Sequence, residues 1–249
     1  MRLSKPVCAV LLLLALTLAC FGQAHPSTPA KAPSTAEPHR GDIPDLIRET
    51  QLTIRAKDYS GLVWWIPFEF WIDSATTHGS TPEQAKQNFH ALQEYTIVFV
   101  FAAKTNALGA FDFFPPEHVQ KHVVIRDANG NEYAPVENVS DTAKNLAAML
   151  KPILGNAMGK AGENSVLLFF PATGKNGTPI ADAAAQGSFS VVLRDLVGVE
   201  NDVYDWRLPL TSVAPAKFCP VGKERMMANW HYCPWHGVAL EGKAAAAGK

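Results

Sequence analysis

The chain has 249 residues, and 22 Lys and Arg face 23 Asp and Glu for a net charge of −1. With no basic block, this composition argues against a nucleic-acid partner, which needs a positive stripe. Hydrophobic residues make up 47%, enough for a substantial core in one large or two small domains.

Arg2 and Lys5 precede Val7 to Ala19, an almost unbroken apolar run of 13 residues. A membrane-crossing helix needs about 20 residues, whereas this length suits the core of an export signal. Two processing sites compete. Gly22-Gln23-Ala24 has small residues where cleavage before His25 requires them, which makes residues 1–24 a signal peptide. Thr17-Leu18-Ala19-Cys20 resembles the lipobox of bacterial lipoproteins, with Cys20 as the lipidated residue; Thr17 and Leu18 depart from its usual pattern. His25 to Pro44 is dense in Pro, Ser, Thr and Ala, so it reads as a disordered tether. The expected location is the periplasm, a lipid-anchored position or the exterior.

A β-rich domain is expected over residues 45–212. Leu52 to Ala56 and Leu62 to Ile72 have strand character, with Pro67 as an edge or a bend. Thr81-Pro82-Glu83 starts a helix, with Thr81 as cap and Pro82 at its first position. Ala85, Phe89 and Leu92 should line its inner face. Tyr95 to Ala103 is the clearest strand, and Gly109 to Phe114 should form a hairpin with it. Asn129-Gly130 between His122–Arg126 and Glu132–Val136 signals a second hairpin. Apolar positions 146, 149, 150, 153, 154 and 157 predict a helix over Asp141 to Met158, with a kink at Pro152. Ser165 to Pro171, Ser188 to Leu193 and Tyr204 to Leu210 complete the strands.

Strands separated by turns, with two helical insertions, predict a mainly β fold, an antiparallel β-sandwich. Val166 to Pro171, Phe189 to Leu193 and Trp206 to Leu210 look similar to the last strands of small extracellular immunoglobulin-like domains. That resemblance covers roughly residues 95–212 and implies an immunoglobulin-like sandwich.

The tail carries the clearest chemistry. Phe218-Cys219-Pro220-Val221-Gly222 and Tyr232-Cys233-Pro234-Trp235-His236-Gly237 resemble the two knuckles of a zinc ribbon. The resemblance implies a zinc-ribbon-like module over residues 213–241, followed by a frayed tail at 242–249. Cys219, Cys233 and His236 are the ligands it implies, and Gly222 stands where a fourth is expected. His231 is the nearby residue able to supply it. Zinc accepts thiolate and imidazole in tetrahedral geometry. Cys8 and Cys20 lie at the N-terminus, which leaves Cys219 and Cys233 as a pair. In an exported protein a disulfide between them competes with metal. Either way the role is structural, because so small a module lacks the core to fold unaided.

Other constellations read as ordinary structure. His118 and His122 would share a helical face, but Val123-Val124-Ile125 leaves little room for a helix; extended, they stand about 13 Å apart. Asp127, Asn129 and Asn131 superficially resemble a calcium loop, but its glycine and glutamate positions are wrong. Trp64, Trp65 and Trp71, with Phe68 and Phe70, belong either to the core or to an aromatic face for a carbohydrate or peptide. No Gly-x-Ser-x-Gly, His-Glu-x-x-His, phosphate loop or Cys-x-x-Cys is present. The expectation is therefore an exported binding or envelope-associated protein, with an envelope protein or a carbohydrate as partner. A secreted metal-dependent hydrolase built on the C-terminal cluster is the rival.

Overall fold

A computed structural model describes residues 43–55, 59–196 and 201–240. The export signal, Cys20, the tether up to residue 42 and the tail from residue 241 lie outside the described residues. Among the described residues no helix is long and apolar enough to cross a membrane.

Helix α1 (Ile43–Thr50) takes up Ile43 and Pro44, so the tether expected to run to Pro44 ends before Ile43. Pro44 sits in its first turn, where a missing N–H costs nothing. Ile43, Leu46, Ile47 and Thr50 form the buried face. The Thr50 hydroxyl donates to Leu46 O at 2.8 Å and accepts from Trp64 Nε1 at 3.0 Å. This satisfied buried pair ties the helix to the adjoining sheet.

Strands β1 (Gln51–Arg55) and β2 (Tyr59–Ile66) pair antiparallel. The strand expected over Leu62 to Ile72 stops at Ile66, and helix α2 (Phe68–Thr77) follows. The cause is Pro67, extended at φ −69° and ψ 161° in the cap position. Its ring fixes φ and offers no N–H to a ladder, so the chain leaves the sheet there. Phe70, Trp71, Ser74 and Ala75 then share one buried helical face. Helix α3 (Pro82–Phe89) forms as expected. Thr81 Oγ1 accepts from Gln84 N, and Gln84 Oε1 accepts from Thr81 N, a reciprocal capping box. Ala85, Phe89 and Leu92 are buried, the last on a short 3₁₀ turn.

The central strand is β3 (Tyr95–Thr105). It pairs with β2 along one edge. Along the other it pairs with β7 (Val166–Pro171) near its start and β4 (Phe111–Phe113) near its end. Val98, Phe99 and Val100 are buried in sequence, as a strand covered on both faces requires. Helix α4 (Pro116–His122) leads directly into β5 (Val123–Asp127) and β6 (Glu132–Tyr133). Helix α5 (Asp141–Met158) has the expected bounds, with Ser140 as cap, and α6 (Lys160–Glu163) follows it. Strands β8 (Gly187–Leu193) and β9 (Asp202–Leu208) complete a second antiparallel sheet in the order β6-β5-β8-β9.

The architecture is mixed: antiparallel sheets and, among the described residues, six α-helices in place of two insertions. The two larger sheets meet through aromatic rings. Trp65 on β2 lies edge-on to Phe189 on β8 at 4.9 Å and to Trp206 on β9 at 6.3 Å. Beyond this core, β10 (Lys217–Phe218) and β11 (Arg225–Met226) form their own hairpin. Cys219, Met226, Cys233 and Leu240 make a separate small buried cluster there.

Candidate metal centre

Two short hairpins with the same backbone, offset by 14 residues, build the site. In the first, Lys223 N donates to Cys219 O at 2.9 Å and Cys219 N donates to Glu224 O at 2.9 Å. In the second, Gly237 N donates to Cys233 O and Cys233 N to Val238 O, both at 2.8 Å. Phe218 pairs with Arg225 as Tyr232 pairs with Ala239. Both turns need a left-handed residue one place after the third turn position. Lys223 and Gly237 fill it, each with φ 65°. The matching octapeptides Phe218–Arg225 and Tyr232–Ala239 are a structural repeat whose sequence trace is only the shared aromatic-Cys-Pro.

The repeat brings both cysteines to one point. His236 Nδ1 lies 3.3 Å from Cys219 Sγ and 3.4 Å from Cys233 Sγ. The ligand atoms of Cys219, Cys233 and His236 all fall within 4.8 Å of one another. Tetrahedral zinc, with bonds of about 2.3 Å to sulfur and 2.0 Å to nitrogen, separates those two atoms by about 3.5 Å. Both cysteines are buried free thiols, not bonded to each other as the disulfide alternative requires, while His236 is exposed. Burial pushes the Cys219 thiol up. The backbone N–H groups of Gly222 and Val221, together with Cys233 and His236, outweigh this and hold it down at about 7. A thiol so placed readily supplies the thiolate that a metal binds.

Gly222 occupies the position in the first turn that His236 holds in the second, and it contributes no side chain. His231 does not fill the gap. It is exposed, it stands outside the cluster, and its carbonyl accepts from Leu240 N.

The remaining candidates resolve into structure. Trp64, Trp65 and Trp71 are at most 1% exposed, so they form core and not an aromatic binding face. The large exposed apolar side chains near the site are instead Val221, Tyr232 and Trp235. His118 and His122 do lie on a helix, with ring centroids 4.4 Å apart, which corrects the extended reading. Pro115 and Pro116 start that helix, and it ends where β5 begins. His118 Nε2 contacts Leu196 O at 3.1 Å and His122 Nδ1 contacts Arg194 O at 2.6 Å, so the pair anchors the segment after β8. Asp127 closes its hairpin turn by accepting from the amides of Asn129 and Asn131, both at 2.9 Å.

Comparison with protein-family models, with curated proteins and with solved structures finds no match for this chain.

Proposed function

We propose that the chain is an exported, non-enzymatic binding or envelope-associated protein whose C-terminus is fastened by a structural zinc. The observation that carries the zinc reading is the convergence of Cys219, Cys233 and His236 within 4.8 Å on two matching turns. Among the described residues the buried cluster adds only Met226 and Leu240 to the two cysteines, and modules of this size rely on a metal or a disulfide. The module is also tethered to the main body. Ala228 N donates to Thr211 Oγ1 at 3.1 Å, and Asn229 Nδ2 donates to Arg207 O at 2.9 Å. A metal that stiffens residues 219–240 therefore fixes a docked segment in place.

Export rests on the N-terminal apolar run, and the sandwich reading on the facing aromatic rings of the two sheets. An immunoglobulin-like arrangement is part of the same proposal. Binding of an envelope protein or a carbohydrate would use the exposed Tyr232 and Trp235 beside the cluster, since the other tryptophans considered are core.

The rival, a secreted metal-dependent hydrolase, draws on the open fourth position, which catalytic zinc keeps for water. It is the weaker reading because, among the described residues, the ligand atoms already gathered come from Cys219, Cys233 and His236, with no carboxylate placed among them as a general base. The depression lined by Arg48, Glu49, Ser212 and Arg225 contains none of the three ligands.

Metal analysis with thiol titration on the purified mature chain tests the proposal. One zinc per chain and two thiols released on chelation are expected. No metal and no titratable thiol would replace zinc with a disulfide. Intact mass distinguishes lipidation at Cys20 from cleavage before His25.

A further inference from the structure

The pseudo-symmetry of the two turns locates the missing ligand. In the second turn the side chain of His236 leaves its Cα toward the sulfurs. The first turn has the same hydrogen bonds and the same left-handed residue, so Gly222 stands where the second turn places its histidine ligand. That place is not empty. A methyl group placed on Gly222 would collide with both carboxylate oxygens of Glu224. The left-handed residue of this turn is Lys223, so the turn does not need glycine at 222 for its backbone. The Glu224 carboxylate, the end of a flexible exposed side chain, lies where a side chain at 222 would begin.

We infer that Glu224 supplies the fourth ligand, completing a Cys219–Cys233–His236–Glu224 site. This deepens the structural-zinc reading and rests on it. Carboxylate oxygen is an accepted zinc donor beside sulfur and nitrogen. The Glu224 oxygens are not among the atoms already gathered within 4.8 Å. Ligation therefore requires a rotation of this exposed side chain through the gap over Gly222. Two thiolates and one carboxylate leave the site with one excess negative charge, and Lys223 and Arg225 flank Glu224 in sequence.

Cobalt(II) replaces zinc as a spectroscopic probe for the test, in the reduced full-length mature protein held without oxygen. The wild-type chain is expected to bind one cobalt with the intense visible bands of a tetrahedral site. Glu224→Gln, which keeps shape and removes the charge, should weaken binding by at least about tenfold, the lower bound for losing even an outer-shell partner. It should also change the band pattern. His231→Ala should change neither. Gly222→Cys should bind more tightly and show a third sulfur-to-cobalt charge-transfer contribution. On that background Glu224→Gln should cost nothing, because the new thiolate holds the position.

Equal affinity and equal spectra for wild type and Glu224→Gln would overturn the inference and leave the three-ligand site standing. So would an undiminished cost of Glu224→Gln on the Gly222→Cys background. A wild-type chain that binds no cobalt while both thiols are free would sink the zinc reading and this inference together.

Discussion

His236 Nδ1 stands 3.3 Å from Cys219 Sγ although 16 residues lie between them. The contact exists because two turns of matching backbone face each other. The module's buried side chains are few, and four backbone hydrogen bonds close the two turns that carry the ligands. Removing metal with a chelator should therefore open residues 219–240 before the rest of the chain. Amide hydrogen exchange is the measurement. The amides of Cys219, Lys223, Cys233 and Gly237 should lose protection while those of Val98 to Val100 keep theirs. Unchanged protection across both sets would show that the module holds itself together.

The burial of Trp65 makes a contrasting prediction. Its ring lies edge-on to the stacked pair Phe189 and Trp206, where the two sheets meet. Trp65→Ala should cost about 3–5 kcal/mol, the range for removing a large buried aromatic. Trp235, 68% exposed, should tolerate the same change within about 0.5 kcal/mol. Urea unfolding of both variants checks this. Near-equal losses would contradict the placement of Trp65 in the core.

Legibility in the sequence followed the range of the interactions. Asp141 to Met158 was legible because its apolar spacing is a pattern within a few residues. The hairpin at Asp127 to Asn131 was legible for the same reason. Pro67 was ambiguous: an aromatic run on either side fits a bent strand as well as a strand followed by a helix. Only the packing of Phe70 and Trp71 under the sheet decides for the helix. Helix α1 escaped notice because its eight residues follow a Pro-rich stretch. At the site, Cys219, Cys233 and His236 were visible because each Cys-Pro turn is local. Glu224 was not, because its role depends on space left by Gly222, which a sequence records only as a missing ligand.

Glu49 links the N-terminal helix to the segment that enters the C-terminal module. Its carboxylate accepts from Thr211 N at 3.2 Å, from Ser212 N at 3.0 Å and from Ser212 Oγ at 2.8 Å. Thr211 in turn accepts from Ala228 N through Oγ1 and from Arg225 Nη2 through its carbonyl. Glu49→Ala should lose about 2 kcal/mol, as expected for hydrogen bonds to a charged group. The loosened segment should be cut faster by trypsin at Lys217 and Arg225. A stability loss without faster cleavage there would mean that Glu49 supports only its own helix.

Asp127 gives the chain a defined acid sensitivity. Burial pushes its carboxyl up, but the Asn131 side chain, the Tyr133 hydroxyl and the amides of Asn131 and Asn129 outweigh this and hold it below the usual range. Unfolding releases those donors, so the group returns to about 3.9 in the unfolded chain. A carboxyl that is more acidic in the folded state stabilises it above that value. The benefit fades as pH falls through the lower native value. Asp127→Asn removes the charge while keeping the side chain's shape. Wild type should therefore exceed this variant in urea midpoint at pH 7, with the gap closing below about pH 4. A gap that stays constant from pH 7 to pH 2 would assign the effect to shape alone and remove the charge from the account.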